Sequence, residues 1–153
     1  MKDIDWIVFD AVGTVIRPEP SVPVAYHTIG QQFGAKRTVK DVGTRFAAAF
    51  AETEQLDLAD AQRLTTNPAI EEARWRHVVG AVFPEIADPE GCFQVLHDYF
   101  AQPSAWQLFD DTASTLGHLS DSGIRLAVAS NFDDRLHSIC DGTPALRSFS
   151  RRF

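Results

Sequence analysis

Apolar residues are distributed along this chain in two distinct ways. At Trp6-Ile7-Val8-Phe9 and Ile124-Arg125-Leu126-Ala127-Val128-Ala129 they run almost continuously. Between these runs they recur every three or four positions. Short, β-branched and aromatic runs predict buried parallel strands, and periodic stretches predict helices. Ser21 is placed to cap a helix carrying Val22, Ala25, Ile29 and Phe33, which Gly34 would end. Thr38-Val39-Lys40-Asp41 resembles a capping box, with a short acid in place of glutamate, ahead of Val42, Phe46 and Phe50. Asn67-Pro68 opens a helix through about Val82, and Asp88-Pro89 repeats the device before Phe93, Leu96 and Phe100. A further helix is expected from about Asp111 to Ser122, with Ala113, Leu116 and Leu119 as its stripe and Gly123 at its end. The pattern predicts an α/β fold, with a Rossmann-like core over residues 1–16 and 104–153 and a helical cap inserted over 17–103.

The polar residues begin where each strand stops. Asp10 follows the first run, and Gly13 and Thr14 follow Asp10. In an open α/β sheet this carboxyl edge is where ligands bind. Gly13 would let the chain turn and let backbone N–H groups approach an anion, while Thr14 adds a hydroxyl. A carboxylate facing such a cradle suits nucleophilic attack by Asp10. The same letters also describe an Asp-x-x-Gly turn without chemistry. The second run ends in Ser130-Asn131-Phe132-Asp133-Asp134-Arg135-Leu136. The Ser130 hydroxyl and the Asn131 N–H suit a phosphate or carboxylate oxygen if the strands are parallel. Here the plain alternative is a Ser/Asn turn with Asp133 as a helix cap.

Composition narrows the function classes. The 153 residues are 44% hydrophobic with a formal charge of −7, which argues against a nucleic-acid partner. No apolar stretch approaches the ~20 residues of a membrane span and no secretory segment follows Met1, so a cytoplasmic protein without a membrane partner is expected. Cys92 and Cys140 have no ligand spacing and read as buried or free thiols. His27, His77, His97, His118 and His137 are dispersed. Asp110-Asp111 reads as a helix start, Glu71, Glu72, Arg74 and Arg76 as a solvated helix face, and Trp75 and Trp106 as packing anchors. Arg37 and Arg45 could reach a substrate carboxylate from the cap.

Phe9-Asp10-Ala11-Val12-Gly13-Thr14 resembles the first motif of the haloacid dehalogenase (HAD) superfamily, in its helical-capped branch. Ser130-Asn131-Phe132-Asp133 with Arg135-Leu136 is similar to the second motif of the HAD-like hydrolase domain-containing protein 3 subgroup. Glu71-Glu72-Ala73-Arg74-Trp75-Arg76 is similar to that subgroup's cap. The resemblance implies a hydrolase with Asp10 as nucleophile, Gly13, Thr14, Ser130 and Asn131 around a phosphate, and a small phosphorylated metabolite as substrate. It also implies Mg²⁺ on Asp10 and the backbone carbonyl of Val12. Two departures follow. Val12 stands where the phosphatases carry an acid–base aspartate, and valine moves no proton. The lysine and acidic pair that the family places after its second motif have no counterpart in Thr143–Phe153. The chain therefore resembles the first part of an enzyme. It is expected to supply two strands of a sheet of five or more, to leave one side of 124–129 and one edge of 7–10 unpaired and apolar, and to be inactive alone. A 2-haloacid dehalogenase, or a non-catalytic anion- or partner-binding remnant, are the alternative readings.

Overall fold

Continuous apolar runs form strands here, and periodic stretches form helices. In chain order the computed structural model contains β1 (Trp6–Phe9), β2 (Ile16–Pro18), α1 (Val22–Gln32), α2 (Val39–Ala59), α3 (Pro68–Val82) and α4 (Pro89–Phe100). Then follow β3 (Trp106–Leu108), α5 (Thr112–Asp121), β4 (Arg125–Val128), α6 (Arg135–Gly142) and β5 (Phe149–Arg152), with 3-10 turns at Pro103–Ala105 and Pro144–Ser148. The structure describes residues 4–59 and 68–153, with only the main chain of 56–59. Asn67 lies outside the described residues. Two compact units result, one containing the chain up to Glu19 together with Phe100–Phe153, the other Pro20–Tyr99.

In the first unit β1, β4 and β5 form a parallel sheet in the order β1-β4-β5, with Ile7 opposite Leu126 and Phe9 opposite Val128. Strand alternation sends Ile7, Phe9, Leu126, Val128 and Phe149 into one cluster with Leu116, Leu136, Ile139 and Leu146. The other face of β1 is not packed in this way. Val8 is 57% exposed, so β1 is a half-buried edge strand and not the fully buried one its composition predicts. Trp6 on that face lies beneath the guanidinium groups of Arg125 and Arg151. The polar tail is a second correction. Phe149–Arg152 pairs with β4 on the side expected to be open. A bulge between Leu126 and Ala127 accommodates Ser150, whose hydroxyl donates to the Leu126 carbonyl at 3.0 Å. Arg152 binds Asp141 of α6 at 2.7 Å.

An antiparallel ribbon of β2 and β3 completes this unit, with Arg17 donating to Gln107 across it at 2.9 Å. The α5 stripe differs from its expected register. Thr112 and Leu116 are buried whereas Ala113 is exposed, because the Thr112 hydroxyl donates to the Val15 carbonyl at 3.2 Å and turns that side inward.

The second unit is the helical block. The Thr38–Asp41 box is formed: the Asp41 N–H donates to Oγ1 of Thr38 at 3.2 Å, and the Thr38 N–H donates back to Oδ2 of Asp41 at 3.3 Å. Asp88 accepts the Gly91 N–H at 2.8 Å at the start of α4. Ser21 occupies the cap position of α1 without a side-chain capping bond. Glu71 departs from the solvated-face expectation: it is 3% exposed and pairs with Arg74 at 3.0 Å. Tyr26 packs edge-on against Phe46 at 5.1 Å and beside Phe83.

Candidate active site

The parallel register of β1 and β4 decides which polar residues share an edge. Phe9 faces Val128, and the Ala129 N–H donates to the Phe9 carbonyl at 2.8 Å. Asp10 and Ser130 therefore emerge from the carboxyl ends of adjacent strands, as open α/β sheets arrange their ligand sites. The Ser130 N–H donates to the Phe153 carbonyl at 3.1 Å, so the tail strand fixes the start of this loop. The side chain of Asp10 is exposed, and Thr14 Oγ1 lies 3.5 Å from its Oδ2.

The turn after Asp10 is built on Ala11, which is fully buried. Its carbonyl accepts the N–H groups of Thr14, Val15 and Ile16 at 3.3, 2.9 and 3.1 Å. The Gly13 N–H donates to the Ile16 carbonyl at 2.8 Å, with Gly13 at φ +87°, where a side chain would be strained. All four amides are thus engaged within the turn. Gly13 supplies its shape, and Thr14 presents its hydroxyl beside the carboxylate. The Val12 side chain is 39% exposed and offers no titratable group next to Asp10.

On the β4 side, Oγ of Ser130 accepts the Phe132 N–H at 3.3 Å. A hydroxyl with a lone pair so engaged still has its hydrogen to donate. Asn131 is exposed beside it. Asp133 plays a different role from the simple cap expected. Helix α6 begins at Arg135, with Asp134 at the cap position making no side-chain capping bond. Asp133 Oδ1 accepts the Arg135 N–H at 3.1 Å, and both carboxylate oxygens receive the Arg135 side chain at 2.7 Å.

Other candidates have partners of their own or are buried. Arg37 pairs with Glu85 at 2.8 Å, and Arg45 donates to the Ala81 carbonyl at 3.3 Å, both within the helical unit. Burial pushes the Cys92 thiol up to about 11 and also raises that of Cys140, so neither is a thiolate nucleophile near neutrality. A recess of about 90 Å³ lies among Phe9, Thr14, Val15, Asp111, Thr112, Thr115 and Leu116. It is far smaller than the ~300 Å³ at which ligand pockets begin, and so it is no substrate pocket. For Mg²⁺ the donor set is thin: one exposed carboxylate at Asp10 and the Val12 carbonyl. Among the described residues no three Asp, Glu, His or Cys side chains converge on a metal position. A cation that demands octahedral oxygen coordination is not held by these residues alone.

Parallel strands joined by helices, with polar residues gathered at their carboxyl edge, define a Rossmann-like α/β protein. Within that class the chain belongs to the haloacid dehalogenase-like hydrolase family, which matches residues 4–141. It is similar to the haloacid dehalogenase-like hydrolase domain-containing protein 3 of Danio rerio, 29% identical over 96% of this chain, and to that of Bos taurus, 27% identical over 89%. The chain spans 62% and 55% of the length of those two relatives. The crystal structure of a dehalogenase matches all of this chain and 63% of its own at a TM-score of 0.64 and 18% identity. A predicted phosphoglycolate phosphatase from Haemophilus somnus 129pt matches 98% and 62% at 0.57 and 15% identity. At those identities the likeness is one of fold.

Proposed function

We propose that the chain belongs to a phosphoester-hydrolase lineage in which Asp10 is the nucleophile. The observation that carries this reading is the exposed Asp10 carboxylate beside the Thr14 hydroxyl, on the strand edge shared with Ser130. An Asp10 oxygen attacks phosphorus, the bond to the leaving alkoxide breaks, and water then hydrolyses the aspartyl-phosphate. The hydroxyls of Thr14 and Ser130 and the Asn131 N–H donate to the phosphoryl oxygens as charge builds there. Gly13 shapes the turn that aims Thr14. Val12 cannot protonate the leaving group, so that proton comes from solvent. Small phosphorylated metabolites are the substrate class, with neither nucleic acid nor membrane as partner. The cytoplasm is the proposed location. Among the described residues no helix is long and apolar enough to cross a membrane. Mg²⁺ is the cation the family relationship suggests, with Asp10 and the Val12 carbonyl as the donors this chain would offer.

The 153 residues alone are proposed to be inactive. One oxyanion donor is worth ~10²–10³ in rate, and here a lysine, metal-binding acids and a proton donor are all missing from the set. Assayed with para-nitrophenyl phosphate and Mg²⁺, the chain should stay at background, and Asp10→Asn should change nothing. Fused to the remainder of the zebrafish relative, it should gain turnover that Asp10→Asn abolishes. Undiminished turnover in that variant would sink the nucleophile assignment.

Val12 favours a second reading, a 2-haloacid dehalogenase, whose displacement at carbon needs no acid at that position. Against it, Arg37 and Arg45 are engaged within the helical unit. Chelator-resistant halide release from 2-chloropropionate by the fused chain would establish it. The thin donor set favours a third, an anion- or partner-binding remnant, which an inactive fused chain would support.

A further inference from the structure

The sequence motif after β4 contains two residues that the proposed chemistry does not use, Asp133 and Arg135. Their side chains form a two-point fork, Nε to Oδ1 and Nη2 to Oδ2, both at 2.7 Å. Each side chain is only 10% exposed. Such a pair holds a guanidinium in one plane and one orientation, which a single ionic contact does not. Helix stabilisation alone does not explain where that plane lies. Cζ of Arg135 sits 5.1 Å from the centre of the Phe132 ring. Trp106 meets the same ring at 5.2 Å and 89°. Trp106 is itself fixed, because its Nε1–H donates to the Phe100 carbonyl at 3.0 Å. Phe132 is therefore gripped by Arg135 and Trp106, and its N–H is the donor that engages Ser130 Oγ.

We propose that Arg135 is a positioning residue for the anion cradle. Held by Asp133, it clamps the Phe132 ring, and the Phe132 N–H sets the Ser130 hydroxyl toward the edge where Asp10 stands. This rests on the reading of Ser130 and Asn131 as oxyanion donors. The guanidinium binds no substrate in this scheme; its charge is matched by Asp133, and its effect passes through main-chain geometry. Arg135→Lys keeps the charge but loses the fork, so it should resemble Arg135→Gln.

The test uses the 153-residue chain, amide NMR and inorganic phosphate with Mg²⁺. In Arg135→Gln the Phe132 amide should exchange at least tenfold faster, while the amides of Leu126–Val128 keep their protection and show the sheet intact. Phosphate titration followed at the Ser130 and Asn131 amides should give an apparent Kd at least tenfold weaker, and equally so in Arg135→Lys. Should Arg135→Gln fail to fold, Phe132→Leu, which removes the ring and leaves the fork, is expected to produce the same two effects. Unchanged Phe132 exchange in a folded variant would overturn the proposal, as would faster exchange with unchanged phosphate affinity. Full rescue by Arg135→Lys would overturn the role of the fork. If phosphate shifts neither amide in the unsubstituted chain, the oxyanion reading itself fails, and the exchange result alone decides whether Arg135 positions the turn.

Discussion

Single residues report whether local chemistry matches the surrounding packing. A Cβ added at Gly30 would lie 2.6 Å from Cζ of Phe83, inside van der Waals contact. Alanine improves helix propensity by about 1 kcal/mol, but overpacking costs about 1–3 kcal/mol, so Gly30→Ala should lower stability. An unfolding midpoint at or above that of the unsubstituted chain would contradict this. Asp41 provides a pH-dependent case. The Thr38 hydroxyl, then the Thr38 N–H, hold its carboxyl below the usual carboxylate value. A carboxyl lowered on folding contributes stability that is present above its unfolded value and disappears as pH falls through the folded one. Asp41→Asn should therefore be less stable than the unsubstituted chain at pH 7, with the gap narrowing once the pH drops below about 4, where an unfolded aspartate takes up its proton. Thermal unfolding at several pH values would show it, and a gap independent of pH would rule out the carboxylate's part.

At the scale of elements, β1 is the informative case. Its run of four apolar residues reads as a buried strand with one edge unpaired; β1 does stand at the end of the β1-β4-β5 order, but Val8 at 57% exposed shows that one of its faces is not buried. An apolar edge strand with unpaired backbone groups invites pairing between copies. Val8→Lys should reduce concentration-dependent self-association in sedimentation experiments and leave the circular dichroism spectrum unchanged. Equal association in both proteins would place the sticky surface elsewhere. The capping devices, by contrast, were legible because they are local. Thr38 and Asp41 are three residues apart, and Asp88 and Gly91 likewise, so their spacing alone brings donor to acceptor.

The carboxyl-terminal segment matters at the scale of the folded unit. Leu146 is fully buried among residues of α5, α6 and the parallel sheet, although its neighbours Arg147, Ser148 and Ser150 look like an ordinary polar tail. Leu146→Ala should cost about 2–5 kcal/mol, the range for a cavity in a packed core. A loss under 1 kcal/mol in denaturant unfolding would mean that this segment does not close the core. The same segment holds the site in place, since the Phe153 carbonyl accepts the Ser130 N–H.

What the sequence determined by itself was whatever short-range pattern encodes: the apolar runs at 6–9 and 124–129, the helix periods between them, and the position of Asp10 and Ser130 just after each strand. Parallel pairing, expected from those endings, brings the two residues to one edge. Tertiary structure alone decided which side of each element was buried. It turned Ala113 and Val8 outward and drew Glu71 and Thr112 inward. It recruited Phe149–Arg152 as a strand, which composition concealed because only Phe149 faces the core. It also turned Asp133 and Arg135 from a helix start into a clamp on Phe132. The physical reason is common to all of these: burial and ring contacts depend on neighbours distant in sequence, as Trp106 is from Phe132, and no local spacing contains them.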